Sequence, residues 1–255
     1  MKTKLSFLLM LCFIALVGFS QQPQQQIWYL NNQSIDFRVF PPVLNAGLPG
    51  SSSSYIYESR NGVHNQNGNL LFYVEGNQVI NKLGNNVGSI STFGFPQTEL
   101  ASVPVPGSGC QYYIINQYVS QFNNPCTGMG DRWNLTYSTM DVTLNSNAGG
   151  LVNSNIQLES CSYVTGSAIA IGKPKIHNTQ LMYEVGISAG TFDILKYTIS
   201  SSGISAPITI FSGSFSTSFY SPAEMDLSFN EDKLVFTNGG NEICIIHLDA
   251  NGNLN

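Results

Sequence analysis

Apolar positions in this chain come in short bursts. After residue 26 they alternate with polar positions, or run unbroken for four to six residues, and each burst ends at a cluster of Gly, Asn, Ser or Pro. No later stretch carries apolar residues at the three-to-four spacing of an amphipathic helix. Alternation and short runs bounded by turn formers mark strands. The pattern predicts strands at 27–30, 70–74, 112–116, 135–142, 168–171, 181–185, 192–199, 208–211, 234–237 and 243–248. β-Branched and aromatic residues dominate them, as a pleated, packed surface requires. The chain reads as all-β.

The strands recur as a unit of polar turn, aromatic-rich strand, turn and second strand. The first strands of the units begin at Leu70, Tyr112, Leu181 and Leu234, at intervals of 42, 69 and 53 residues. Periods of about 40–50 residues with four strands per unit are those of propeller blades. The fold expected is therefore a β-propeller of four-stranded antiparallel blades. Innermost strands are expected at 53–58, 99–105, 166–172 and 224–229, and outermost strands at 151–159 and 207–214. Val185 to Gly190 and Thr237 to Gly240 are read as central hairpins, with Gly and Asn supplying the positive φ of tight turns. Residues 26–37 and 40–44 read as the last two strands of a blade, and the final strand as the third of another. The first and last blades are thus expected to be incomplete, within about four blades spanning 21–255. The two ends are expected not to complete one shared blade, as in the front part of a longer propeller.

Residues 1–20 read as a secretory signal. Lys2 and Lys4 give a positive start, residues 5–17 an apolar run, and Gly18 and Ser20 small residues before a cut at Gln21. The run is short for a membrane span of ~20 residues, and no second run follows. No span is expected after cleavage, and the expected location is extracellular or at the outer cell surface. Without the signal, eight basic and fifteen acidic residues leave a net charge of −7. That balance excludes a nucleic-acid partner, which needs a basic surface. Charged residues are only 10%, and 26 Asn with 30 Ser do most of the solvating. With 11% aromatics, ordinary disorder is excluded.

Several segments look familiar. Gln26 to Phe37 (QIWYLNNQSIDF), Gly68 to Gly84 (GNLLFYVEGNQVINKLG), Ala101 to Ile115 (ASVPVPGSGCQYYII) and Leu135 to Asn145 (LTYSTMDVTLN) resemble the N-terminal propeller region of large secreted proteins of gliding bacteria. Those proteins are cargo of the type IX secretion system. Trp28-Tyr29-Leu30 stands where that family has W-x-F-G. Gly68 to Asn81 matches its G-x-L-L-F-Y-x-D-G-x-x-V-W-N, with Glu75 at the acidic position and Ile80 at the second tryptophan. Tyr137 to Val142 matches its Y-S-x-V-D-M. The resemblance implies a propeller at the cell surface, associated with gliding motility or adhesion. It supplies no catalytic residue.

Two constellations are singled out. Glu224 and Asp226 lie two apart on an expected innermost strand, so both side chains share one face. Lining a central channel, they would hold a cation or act as acid and base; unliganded, they are a solvated pair. Asp131, Arg132 and Trp133 close the longest loop, with Tyr118 and Phe122 nearby. Long loops on one rim build binding surfaces, and an exposed Trp among amides stacks on a sugar or anchors a peptide. A Trp133 that opens a strand would be packed instead.

Four cysteines remain after the signal. Cys126 and Cys161 fall in loops of one rim and are expected to pair, closing a loop of about 35 residues. Cys110 lies at the opposite rim, and Cys244 within a strand. His64 and His177 sit in polar turns expected to face water, and His247 in a strand. No CxxC, no paired Cys/His spacing, no Ser-His-Asp order and no phosphate-cradling Gly motif occurs, so no metal and no cofactor is expected. These observations favour a binding or scaffolding module whose ligand is a glycan, a peptide or an envelope protein. The alternative is a propeller hydrolase or lyase using Glu224 and Asp226.

Overall fold

The computed structural model describes residues 27–30, 33–37, 39–46, 60–91, 100–120, 132–158, 164–175, 178–188, 191–214, 225–237 and 243–255. These residues are all-β, built from antiparallel sheets in which sequence neighbours pair. The first sheet holds β1 (Ile27–Leu30), β2 (Gln33–Asp36) and β3 (Val43–Ala46). The second holds β4 (Arg60–His64), β5 (Leu70–Glu75), β6 (Gln78–Asn81) and β7 (Asn86–Ser89). The third holds β8 (Leu100–Pro104), β9 (Gln111–Ser120), β10 (Arg132–Asp141) and β11 (Gly150–Gln157). The fourth runs β12 (Val164–Ile171), β13 (Gln180–Ser188), β14 (Thr191–Ser200), with β15 (Gly203–Ile204) and β16 (Ile208–Ser214) both on the far edge of β14. The fifth holds β17 (Met225–Leu227), β18 (Lys233–Thr237) and β19 (Ile243–His247). The first and fifth sheets are separate three-stranded sheets.

Burial falls off across each sheet. In β5, four consecutive residues from Phe72 to Glu75 are buried, and β6 buries Val79 to Asn81. In β11 every residue after Leu151 is exposed. A strand covered on both faces has no solvent side, which is why such strands read as unbroken apolar runs. The cover comes from the neighbouring sheet. Phe72, Val74 and Val79 of the second sheet pack with Ile114 and Met140 of the third. Tyr113, Ile115 and Leu135 of the third pack with Met182, Leu195 and Tyr197 of the fourth. Tyr183, Val185 and Phe192 of the fourth pack with Leu234, Phe236 and Ile246 of the fifth. Alternate residues of one strand thus enter different clusters: Ile114 of β9 one way, Tyr113 and Ile115 the other. The second to fifth sheets stack in chain order, each apolar seam shared by two consecutive sheets.

One polar group at the seam between the second and third sheets is well paired. Asn116, 1% exposed, donates from Nδ2 to the Ser91 carbonyl (2.6 Å) and accepts from the Thr136 hydroxyl (3.1 Å). The Ser91 N–H in turn donates to Oδ1 of Asn155 on β11 (2.6 Å).

The structure corrects two expectations and adds a turn. His64 does not face water: it ends β4, pairs opposite Leu70 and is 3% exposed. Its strand, RNGVH, lacks the apolar alternation that would have revealed it, and its burial comes from its neighbours. The hairpin after β13 is tighter than read, because Gly186 to Ser188 continue the strand, with Ser188 opposite Thr191. The stretch from Leu144 to Asn147 is a left-handed turn, with φ of 50° at Asn145 and 59° at Ser146. The expected strand at 53–58 and the turn at 238–240 lie outside the described residues.

Candidate functional site

An antiparallel meander puts alternate loops at the same end of its sheet. At one end lie the β4–β5, β6–β7, β8–β9, β10–β11, β12–β13, β14–β15 and β17–β18 loops and the turn after β19. Three of these are one device repeated. In Asn65 to Asn69 (NQNGN), Asn81 to Asn85 (NKLGN) and Asp249 to Asn253 (DANGN), the first side chain accepts at Oδ1 from the N–H groups two and four residues on, at 2.8–3.0 Å. The first residue's N–H donates to the carbonyl of the fifth, and the fourth, a Gly, donates back to the carbonyl of the first. That Gly is left-handed in each: φ is 75° at Gly68, 82° at Gly84 and 73° at Gly252. An Asn or Asp is needed where a side-chain carbonyl must satisfy two backbone donors, and Gly where φ is positive. The turn after β19 resembles an Asp/Asn cation loop in sequence, but an ammonium fills that role here. Lys196 Nζ donates to the Asn251 carbonyl (3.3 Å) and to Oδ1 of Asn253.

Between the third and fourth sheets this rim opens into a cavity of about 370 Å³. Val105, Pro106 and Gly107 give it an apolar wall. Ser108 and Gln111 from the β8–β9 side face Asn178, Thr179, Ser200 and Ser201 from the fourth sheet. Among the described residues no charged side chain lines it. The framework is fixed from both sides. The Tyr113 hydroxyl donates to the Ser200 carbonyl (3.0 Å), joining the two sheets. The Ser108 hydroxyl accepts the Gln111 N–H (3.1 Å). Gln111 Nε2 donates to Oδ2 of Asp141 (3.1 Å), which orients the amide. Hydrogen bonds from the Thr143 hydroxyl and N–H, with that from Gln111, hold the Asp141 carboxyl below its ordinary value.

The next seam is clamped by charge. The Lys173 N–H donates to Oε1 of Glu231, and Lys175 Nζ lies 2.5 Å from its Oε2. Lys173 Nζ donates to the Phe229 carbonyl (2.7 Å) and stands 3.7 Å from the centre of the Phe229 ring. Burial works to raise the Glu231 carboxyl, but the hydrogen bonds from Lys175 and Lys173 outweigh it and hold it below its ordinary value.

Of the residues singled out from sequence, only some are described. Asp131, Phe122, Cys126, Cys161, His177 and Glu224 lie outside the described residues. Arg132 and Trp133 open β10 and pair opposite Ser120 and Val119, while Tyr118 pairs opposite Asn134. They stand at the end of the hairpin away from the cavity, whose Gln111 pairs with Asp141. Nine residues of strand separate the two positions, about 30 Å. Asp226 is exposed, and its carboxylate accepts the adjacent Leu227 N–H (2.8 Å). Cys110 and Cys244 are each half-buried. Among the described residues no three His, Cys, Asp or Glu side chains group to hold a metal, and no helix is long and apolar enough to cross a membrane.

Sequence reading missed the cavity, since its lining comes from three separate stretches. The repeated Asn/Asp-x-x-Gly-Asn was its available signal: it marks the rim end of each meander where it occurs. Against known proteins, no family model and no curated protein matches this chain.

Proposed function

We propose that this chain is a secreted or cell-surface module of the propeller type that binds and scaffolds, in the manner its resemblance to type IX secretion cargo implies. The observation that carries the reading is the serial stacking. Consecutive antiparallel meanders bury both faces of the middle sheets against their sequence neighbours, the packing that radial blades use. Contacts between the leading strands of successive sheets, β4 with β8 and β12 with β17, add to it. The binding part of the reading rests on the rim cavity, which among the described residues offers hydroxyls and amides with no His, Asp, Glu or Lys beside them. Binding, rather than bond breaking, is what such a lining does.

The test has two arms. The chain is expressed with its own leader in a bacterium that has type IX export. The exported form is expected to begin at Gln21 by mass spectrometry and to be found in the medium or on the cell surface. Solution scattering of that form should give a disc-like envelope of stacked blades. Retention in the cytoplasm, or scattering from an extended string of sheets, would overturn the reading.

A further inference from the structure

The cavity between the third and fourth sheets has a lining that selects for one ligand chemistry. Three of its backbone pairs are internal: the Val105 N–H with the Gln111 carbonyl, the Ser108 N–H with the Val105 carbonyl, and the Lys175 N–H with the Thr179 carbonyl. With those groups occupied, recognition falls mainly to side chains. The amide of Asn178 and the hydroxyls of Thr179 and Ser201 make no hydrogen bond among the described residues, while Gln111 and Ser108 are held in place by their own partners. A side-chain amide offers donor and acceptor together, and a hydroxyl rotates to be either. Ligand hydroxyls have the same dual character.

Charge narrows the choice. Among the described residues no Lys or Arg lines the cavity, and the Asp141 carboxylate stands behind Gln111, so a phosphate or carboxylate ligand meets no counter-ion from them. Many hydroxyls and amides disfavour a purely apolar ligand, which would leave them unpaired. The Val105–Pro106–Gly107 wall supplies a hydrocarbon surface for the C–H face of a ring. The volume, about 370 Å³, lies at the lower end of small-molecule sites.

We infer that the cavity between the β8–β9 loop, Asn178–Thr179 and the Ser200–Ser201 turn is a binding site for one neutral glycosyl unit, recognised by Gln111, Asn178, Thr179 and Ser201. The inference rests on the binding-module reading and gives it a ligand class. Asn178 is the discriminating residue. Its φ of 53° is left-handed, and Gly accepts that conformation without strain, so Asn178→Gly removes the amide and leaves the turn intact.

The experiment is saturation-transfer NMR and calorimetry on the exported chain. The probes are glucose, galactose, N-acetylglucosamine and their β-linked disaccharides, with glucose 6-phosphate and a tripeptide library as comparators. At least one neutral sugar is expected to bind saturably with a millimolar Kd. Asn178→Gly should weaken it about tenfold or more, since an amide can make two hydrogen bonds, and Ser201→Ala by a smaller factor of about three to ten for a single hydroxyl. Glucose 6-phosphate should bind no better than glucose. Absence of saturable binding by every neutral sugar overturns the inference. So does sugar binding that both variants leave unchanged, or tighter binding of the phosphosugar. If a tripeptide alone binds, and Asn178→Gly abolishes it, the glycosyl assignment fails while the module reading stands. Cytoplasmic retention or an extended envelope would sink the module reading whatever the sugars do.

Discussion

The Tyr197 hydroxyl donates a 2.6 Å hydrogen bond to Oε2 of Glu184, and both residues are 0% exposed. From the third sheet, Gln117 Nε2 donates to Oε1 of the same carboxyl at 3.0 Å. A carboxyl is thus held between two stacked sheets, with a donor from each. Removing a partner from a buried carboxyl costs more than the bond itself contributes, because the remaining group stays desolvated. Tyr197→Phe is expected to lower stability by about 1.5–3 kcal/mol. Urea denaturation followed by tryptophan fluorescence checks it. An unchanged midpoint would mean that Glu184 does not depend on the phenol.

The repeated rim loops should not be equivalent to mutation. Asn81 is 2% exposed and satisfies the N–H groups of Leu83 and Asn85, whereas the same bonds at Asn65 are exposed. Water can replace a lost acceptor at Asn65 and cannot at Asn81. Asn81→Ala is expected to cost about 2 kcal/mol and Asn65→Ala about 0.5–1. Thermal melts of the two variants decide it, and an equal or reversed order would refute the argument from burial.

Glu231 makes acid stability depend on the clamp between the fourth and fifth sheets. Its carboxyl is held below its ordinary value by Lys175 and Lys173 against the opposing effect of burial. A depressed carboxyl contributes fully above the unfolded-chain value of about 4.3, and the contribution disappears as pH falls through the lower folded value. Wild type should therefore melt above Glu231→Gln at pH 7, and the gap should close as pH falls below about 4. A gap that stays constant across this range would show that the clamp acts by packing alone.

Tyr183 sets the alkaline limit. Burial, with the charges of Glu231 and Asp249, pushes its hydroxyl up to about 12, and that hydroxyl donates to the Gly252 carbonyl at 3.2 Å. A group with a raised value contributes fully below its unfolded value of about 10, and the contribution is lost as pH rises through the folded one. Phenolate absorbance near 295 nm should show the same number of tyrosines titrating by pH 11 in wild type and in Tyr183→Phe, because Tyr183 itself titrates later. Equal counts of early-titrating tyrosines in Gly252→Ala, which drives a Cβ into that phenol, would argue against the contact.

The strands legible in the sequence were those with a consistent period. Leu70 to Val74 appeared as an unbroken run because the structure covers both its faces. Phe192 to Ile199 appeared as alternation because β14 buries every other side chain along most of its length. Trp133 lies within β10, and Asp226 on β17 is exposed. The buried histidine at 64 and the tight turn after Ser188 were not legible, since each depends on which sheet packs next to it.

Local chemistry thus determined what this chain is made of: antiparallel strands of apolar and aromatic residues, turned by Asn and Gly at fixed offsets, in a weakly charged chain. Period, turn residues and composition are properties of neighbours in sequence, so sequence carries them. Only the stacking of sheets decided that Glu184 of one strand meets Gln117 of another, and that residues near 107, 178 and 201 enclose one cavity. Those contacts join positions tens of residues apart, and nothing in the covalent order of the chain specifies them until each sheet has covered its neighbour's apolar face.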